Sequence, residues 1–416
     1  MRVRTVSLVA MAVAALVATG AVVWLVASKP GGGEAMSPTH TPVTHSPPAE
    51  QTSPSPTVQA SLPASPSLPP TAEDKARVVF DQMTEAERLG QLIMATVYAN
   101  SGGAVNSLIQ DRHVGAVLLL GEGWWGATQV LSVCTDLQQL AGATPLLIAV
   151  DQEGGRVQHL RGDGFDAMPS ALAQGQLEAS QLRQQAEEWG GQLLSAGVNV
   201  DLAPVVDVVT LPNPGDNAPI GRMERSFAPG ADAELVGTQA TAFIEGMGQA
   251  GVGSAIKHFP GLGAVAANTD LASQGITDTT TTADGASIQA FKLALAAEPT
   301  MVMVSHATYT LLDPAAPAVF SEVVVTDLLR GTLGWDGVVI SDSLGAAAVQ
   351  RVPVGERATR FVAAGGDLAI YNTVADATTG LDALVAAAAA SPEFSQRADQ
   401  AALRVLTAKA QLGLLD

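Results

Sequence analysis

The chain has 416 residues, of which 47% are hydrophobic and 15% are charged, and its 40 acidic and 21 basic residues give a net charge of −19. This composition excludes a wholly disordered chain, because such chains lack the apolar surface that offsets the entropy lost on ordering. The acidic balance argues against a nucleic-acid partner, since phosphate binding needs clustered lysine and arginine. The single cysteine, Cys134, excludes an intrachain disulfide and a cysteine-rich metal site.

The first segment of the chain has the features of a membrane anchor or of a signal peptide. Arg2 and Arg4 precede an uncharged run from Val6 to Ala27, and about 20 apolar residues are enough to span a bilayer. The arginines favour a cytoplasmic N-terminus, while the alanine-rich sequence is also compatible with cleavage near Ala27. We expect residues 1–28 to be a signal anchor or a signal peptide. The protein would then act at the extracellular face of the cell membrane or be secreted.

The next segment, residues 29–72, is rich in proline, serine and threonine and poor in large apolar residues. A segment of this composition cannot bury a core and acts as an extended spacer. We predict a disordered linker here, followed by one folded domain over residues 73–416.

Within residues 73–416, short apolar runs that are typical of strands alternate with longer helical patterns. The apolar runs are 92–97, 114–120, 145–151, 198–204, 252–258, 301–306, 337–342 and 368–371. The helical patterns cover 128–140, 180–196, 231–249, 287–296, 321–333, 375–390 and 395–412. Apolar strands that are each followed by a helix indicate a parallel sheet buried on both faces. Eight repeats favour a (β/α)8 TIM barrel of the α/β class, and an open doubly wound sheet is the alternative.

Polar residues follow several of these runs at their carboxyl ends. They are Asp151, Asp201, Asp207, Lys257, His258, Ser305, His306, Ser341, Asp342 and Ser343. Packing alone does not explain this clustering, because buried charges are costly unless they are paired. The carboxyl ends of barrel strands carry the active site. Carboxylates with lysine, arginine and histidine partners suit sugar hydroxyls and an oxocarbenium-like transition state.

Other chemistries lack their sequence signatures. The chain contains neither the Gly-x-Ser-x-Gly nucleophile motif nor the phosphate-binding Gly-x-x-x-x-Gly-Lys-Ser/Thr motif. No pair of histidines has the spacing of a helical or strand metal site, so we predict no metal and no cofactor. We interpret Gly154, Gly155, Gly261 and Gly263 as residues of tight turns that give access to the backbone.

Four segments together resemble glycoside hydrolase family 3, and in particular its single-domain β-N-acetylhexosaminidases. They are Ala149–Val157 (AVDQEGGRV), Asp201–Asp207 (DLAPVVD) with Glu224–Phe227 (ERSF), Lys257–Gly261 (KHFPG) and Gly334–Leu344 (GWDGVVISDSL). They occur in the family's order and at family-like spacing, so the resemblance covers essentially the whole predicted domain. It implies a barrel fold and a glycosidase activity.

By this resemblance Asp342 is the catalytic nucleophile, which forms a covalent glycosyl-enzyme intermediate and so retains the anomeric configuration. Asp151, Arg225, Lys257 and His258 match the family's sugar-binding positions.

Two further residues complete the expected substrate-binding set. The family's next contact after Asp151 is usually an arginine, but this sequence has His159 there and Arg161 two residues later. We include Arg161 and His306 among the substrate-binding residues.

The general acid/base departs from the family pattern. The resemblance implies an Asp-Ser-His dyad in the loop after the KHFPG segment, where this sequence has Asn268, Thr269 and Asp270, with Leu262 at a common histidine position. A carboxylic acid of raised pKa is the ordinary acid of glycosidases, so Asp270 is the expected acid/base. Two alternatives remain: another loop residue or an added partner supplies the proton, or catalysis is impaired and the domain binds sugar.

These observations predict a retaining exo-β-N-acetylglucosaminidase that acts on peptidoglycan fragments or similar amino sugars. The alternatives are another retaining β-glycosidase, such as a β-glucosidase, and a catalytically silent sugar-binding protein. The expected partners are a carbohydrate substrate and, through the N-terminal segment, the membrane. The sequence leaves the oligomeric state open.

Overall fold

A computed structural model describes residues 69–101 and 103–415 of the chain. The predicted anchor, residues 1–28, and the predicted linker up to residue 68 lie outside the described residues. No helix among the described residues is both long enough and apolar enough to cross a membrane.

Eight parallel strands form the centre of the fold, and each of the eight predicted apolar runs overlaps one of them. The strands are β1 Ile93–Tyr98, β2 Ala116–Leu120, β3 Leu147–Val150, β4 Val200–Asp201, β5 Gly253–Phe259, β6 Met301–Val304, β7 Val338–Ser341 and β8 Ala369–Tyr371. Two small sheets lie in the loops: Gln152–Gly154 pairs with Val157–Gln158, and Thr277–Asp278 pairs with Thr308–Tyr309.

The sheet is a nearly closed barrel. Its strand order is β7-β6-β5-β4-β3-β2-β1-β8, and all neighbouring strands run parallel. The two end strands meet where Ile340 bridges to Leu368 and where the Ser341 amide donates a 3.1 Å hydrogen bond to the Leu368 carbonyl. The predicted (β/α)8 barrel is therefore confirmed, and the open-sheet alternative is wrong.

Helices cover the outside of the barrel. They are α1 Ala72–Gln82, α2 Glu85–Gly90, α3 Asn106–Gln110, α4 Ala127–Ala141, α5 Ala171–Gln174, α6 Ala179–Ser195, α7 Ala233–Gln249, α8 Ala286–Leu295, α9 Val354–Ala363, α10 Val374–Ala390 and α11 Pro392–Gln411. A π-helix over Val323–Thr332 follows β6. Every predicted helical pattern overlaps one of these elements, whereas α1, α2, α3, α5 and α9 were not predicted.

The first two helices begin with capping boxes. The Thr71 hydroxyl accepts from the Asp74 amide while the Asp74 carboxylate accepts from the Thr71 amide, and Thr84 and Glu87 repeat this arrangement at α2. This reciprocal pairing satisfies backbone donors that a helix start otherwise leaves free. The folded part therefore begins by Thr71, and a threonine followed three residues later by an acidic residue was the sequence signal for both starts.

The barrel interior is a packed core. Every second residue of each strand points inward, so the strands contribute alternate apolar side chains. The inward-facing set is Met94, Ala116, Leu118, Leu147, Ala149, Val200, Leu202, Ala255, Met301, Met303, Val338, Ile340, Leu368 and Ile370. Val405 and Ala408 of α11 belong to the same cluster, so the last helix closes the amino-terminal end of the barrel.

Candidate active site

The inward positions of three strands continue as polar residues at their carboxyl ends. The apolar residue and the polar residue two positions later are Ala149 and Asp151, Ala255 and Lys257, and Ile340 and Asp342. Because residues two apart point to the same side of a strand, all three polar side chains emerge inside the same rim. The barrel geometry therefore brings together residues that are far apart in the sequence.

A cavity of about 310 Å³ lies at this rim. Its charged and histidine lining consists of Asp151, His159, Arg225, Lys257, His258, Asp270 and Asp342. Small-molecule pockets in proteins typically have volumes of about 300–1,000 Å³. The cavity therefore has the size of a small-ligand site with a strongly polar wall.

Lys257 is the centre of an ion-pair network. Its buried Nζ donates to Asp151 Oδ1 and lies 2.6 Å from Glu153 Oε1. Glu153 in turn accepts two hydrogen bonds from Arg225, at 2.7 Å from Nη2 and 2.8 Å from Nε. Burial alone would raise the pKa of Glu153, but Arg225 and Lys257 outweigh it and the pKa is lowered. Glu153 is thus a charged partner of both cations.

His258 is oriented by a buried carboxylate. Its Nδ1 donates to Asp207 Oδ2 at 2.7 Å, and the other Asp207 oxygen accepts from the Leu262 amide at 2.7 Å. The remaining nitrogen, Nε2, lies 3.3 Å from Arg225 Nη2. The His258 ring is therefore held from both sides, by Asp207 at Nδ1 and by Arg225 next to Nε2.

Asp342 lies on the cavity wall directly after β7. Its Oδ1 accepts from the Ser343 amide at 2.7 Å, and its Oδ2 lies 3.9 Å from Nδ1 of His306. Burial would raise the pKa of Asp342, but His306, His258 and the Ser343 amide outweigh it, so the pKa is lowered. Asp342 is therefore an anion throughout the neutral range.

Asp270 has the opposite electrostatic setting. It lies at the solvent-accessible mouth of the cavity, yet enclosure by the cavity walls and the negative charge of Asp342 raise the pKa of its carboxyl to about 6. The loop that carries it is tied to the segment after β7, since the amides of Ala347 and Ala348 donate to the carbonyls of Asp270 and Thr269 at 3.2 and 3.1 Å. Two carboxyl groups of opposite pKa shift therefore face one cavity.

The structure differs from the prediction at two residues. Arg161 is exposed outside the cavity, with Nε bonded to the Gln158 carbonyl at 2.9 Å, and His159 lines the cavity instead. His306 is fully buried and does not line the cavity. Met303 of β6 faces the interior, and His306 lies an odd number of residues later. The alternation of side chains therefore places it behind the wall.

Sequence reasoning missed the partners that hold the cavity together. Glu153 bridges Arg225 and Lys257, and Asp207 orients His258. Both stand within the motifs already singled out, and each is an ionisable residue inside an apolar segment. Asn372 also lines the cavity. It lies two residues after the inward-facing Ile370 of β8, so the alternation of side chains along the strand could have indicated it.

A barrel of this type, with an anionic carboxylate, a second carboxyl of raised pKa and fixed cations at the carboxyl ends of its strands, is the arrangement of a glycoside hydrolase. Residues 84–408, more than half of the chain, match the family described as "Glycosyl hydrolase family 3 N terminal domain". The chain therefore belongs to glycosyl hydrolase family 3, which confirms the resemblance, and it is a glycosidase.

Known relatives agree with this assignment. The crystal structure of a β-N-acetylhexosaminidase from Beutenbergia cavernae is 43% identical, with a TM-score of 0.76 over 79% of this chain and 99% of that chain. The β-hexosaminidase LpqI of Mycobacterium tuberculosis is 32% identical over 79% of this chain and 83% of its own length. A β-N-acetylglucosaminidase/β-glucosidase from Cellulomonas fimi is 31% identical over 81% of this chain and 59% of its own length.

Proposed function

We propose that this protein is a retaining exo-β-N-acetylglucosaminidase in which Asp342 is the nucleophile and Asp270 is the general acid/base. The observation that carries the proposal is the pair of carboxyl groups in one cavity, one with a lowered pKa and one with a pKa of about 6. An enzyme of this class needs one carboxylate that stays ionised and one carboxyl that holds a proton.

The reaction follows from these roles. An Asp342 oxygen bonds to the anomeric carbon while the bond to the leaving oxygen breaks and Asp270 protonates that oxygen. Water, deprotonated by Asp270, then attacks the same carbon and releases Asp342. Asp151, Lys257, Arg225 and His258 hold the sugar hydroxyls. The small size of the cavity suits a terminal sugar, and hence exo action.

The substrate class rests on the relatives named as β-hexosaminidases. A β-glucosidase activity is the second candidate, because the Cellulomonas fimi relative carries both activities in its name. The comparison is the rate on an aryl β-N-acetylglucosaminide against that on the matching aryl β-glucoside. A higher rate on the glucoside would reject the proposed substrate. Release of N-acetylglucosamine from a peptidoglycan disaccharide tests the proposed natural substrate.

The roles of the two carboxyls are tested with Asp342→Ala and Asp270→Ala, with the exposed Asp336→Ala as a matched control. We expect Asp342→Ala to abolish turnover and Asp270→Ala to lower it by about 10²–10⁴-fold. In the unchanged enzyme, kcat/KM should fall above about pH 6 as Asp270 loses its proton, and this limb should disappear in Asp270→Asn. Undiminished turnover by Asp342→Ala would reject the nucleophile, and a retained basic limb in Asp270→Asn would reject the acid/base.

We also propose that the enzyme is exported and works outside the cytoplasm, at the membrane or after cleavage of its N-terminal segment. The support is the uncharged run between Arg4 and Lys29. Fractionation of cells expressing the full chain should recover the enzyme in the membrane or the medium. Deletion of residues 1–28 should leave it in the cytoplasm, and a cytoplasmic full-length enzyme would contradict the proposal.

A further inference from the structure

His306 is a buried polar side chain that the proposed reaction does not use. It is fully buried, and among the described residues neither of its ring nitrogens has a hydrogen-bond partner. Buried polar groups in proteins are nearly always satisfied, since an unsatisfied one loses its hydration without gaining a hydrogen bond in return. An imidazole with both nitrogens unpaired, next to a reacting group, therefore calls for a functional explanation.

His306 lies next to the proposed nucleophile. Its Nδ1 lies 3.9 Å from Asp342 Oδ2, whereas the other Asp342 oxygen already accepts from the Ser343 amide. Catalytic hydrogen bonds are often long in the absence of substrate and shorten in the complex. A small movement of either side chain would give Asp342 a donor on each oxygen.

We propose that His306 is a positioning residue for Asp342, which holds the nucleophile ionised and aimed at the anomeric carbon without touching the sugar. This proposal rests on Asp342 as the nucleophile. His306 acts on the carboxylate oxygen that does not bond to the sugar, and it neither gains nor loses a proton over the reaction. Its hydrogen bond also stabilises the carboxylate that leaves when water releases the sugar.

The surrounding charges set the pH range in which this works. Burial lowers the pKa of His306, Asp342 raises it, and His258 and Arg357 lower it further, with a net lowering. Asp342 in turn is surrounded by His306, His258 and Lys257, which carry or can carry a positive charge, and by the carboxyl group of Asp270. Toward acidic pH the His306 ring gains its proton, and the resulting positive charge opposes protonation of Asp342. The acid limb of activity therefore extends to lower pH.

The test is the pH dependence of kcat and kcat/KM for His306→Phe and His306→Gln. His306→Phe removes the donor and the charge, so we expect the acid limb to move to higher pH and kcat to fall about 10-fold or more, with KM little changed because His306 does not line the cavity. His306→Gln keeps a neutral donor and should recover part of kcat while its acid limb stays shifted. The control is His113→Asn, a substitution at a half-exposed histidine outside the cavity. This variant should behave as wild type.

Four outcomes decide between the possibilities. A lowered melting temperature with an unmoved acid limb in both variants would make His306 merely structural and overturn the proposal. A raised KM with unchanged kcat would mean direct sugar contact and overturn it as well. If Asp342→Ala keeps its activity, the proposed function fails; if Asp342→Ala is inactive but the acid limb of His306→Phe is unmoved, only the role of His306 fails.

Discussion

Asp201 shows at the scale of one residue how strand parity decides the fate of a carboxyl group. Its neighbours Val200 and Leu202 face the barrel interior, so Asp201 points away from the cavity. It is fully buried, with one oxygen accepting from the Gln152 amide at 3.0 Å and the other unpartnered within the described residues. Burial raises its pKa to about 8. Asp201 is therefore a neutral acid at pH 7.

This setting predicts how stability varies with pH. Between its ordinary pKa of 3.8 and about 8, Asp201 holds a proton in the folded chain but not in the unfolded chain. Stability therefore falls as pH rises through this window. Asp201→Asn, a neutral near-isostere, should gain stability relative to wild type from pH 5 to pH 8, by up to several kcal/mol. Urea unfolding at both pH values measures this, with Asp336→Asn as the control. A pH-independent difference would contradict it.

At the scale of the element, the loop after β5 depends on a glycine. A Cβ on Gly263 would lie 1.7 Å from the Val208 carbonyl oxygen, so only glycine allows the loop to approach the segment after β4. That approach lets the Leu262 amide bond to Asp207, which orients His258. Gly263 does lie in a turn, as the sequence predicted. That the turn packs against the Val208 carbonyl is evident only from the fold.

Gly263→Ala should therefore damage both stability and activity. The clash is with backbone, so the loop must move away from Asp207, and we expect a loss of about 1–3 kcal/mol together with a clear drop in kcat/KM. Thermal unfolding and the aryl glycoside assay measure the two effects. Gly191→Ala in α6, where nothing lies within 4 Å of the added Cβ, should instead be neutral or stabilising by up to about 1 kcal/mol. Equal behaviour of the two variants would reject this account.

At the scale of the whole molecule, α11 closes the barrel at the end opposite the cavity and buries a lysine there. Lys409 is fully buried and its Nζ donates to Gln91 Oε1 at 2.6 Å. No carboxylate among the described residues is within ion-pair distance. Burial lowers the pKa of Lys409 to about 7. At the carboxyl ends of the strands, carboxylates thus pair with Lys257 and Arg225. At the closed end, the side-chain amide of Gln91 binds Lys409 instead.

Replacement of this lysine should flatten part of the pH dependence of stability. Between pH 7 and its ordinary pKa of 10.5, Lys409 binds a proton in the unfolded chain but not in the folded chain, so its contribution to stability rises with pH. The free energy of unfolding of Lys409→Met should therefore exceed that of wild type by most near pH 7, and this difference should shrink by about pH 9.5. Chemical unfolding at both pH values measures it. Lys292→Met, at an exposed position of α8, is the control. A difference between Lys409→Met and wild type that does not change with pH would count against the buried-lysine account.

The sequence by itself determined the eight strands, the barrel and the family, because apolar runs, their period and the ordered motifs are local properties of the chain. It also brought forward Asp342, Lys257 and His258, since ionisable residues at the ends of apolar strands are visible in one dimension. Asp270 came instead from the family resemblance, through its position in the loop after the KHFPG segment. Only the tertiary structure decided which of those ends face one cavity. Strand parity and loop packing place His159 there but leave out Arg161 and His306. The pKa values were equally beyond the sequence, because burial and neighbouring charges in the fold set the opposite shifts of Asp342 and Asp270.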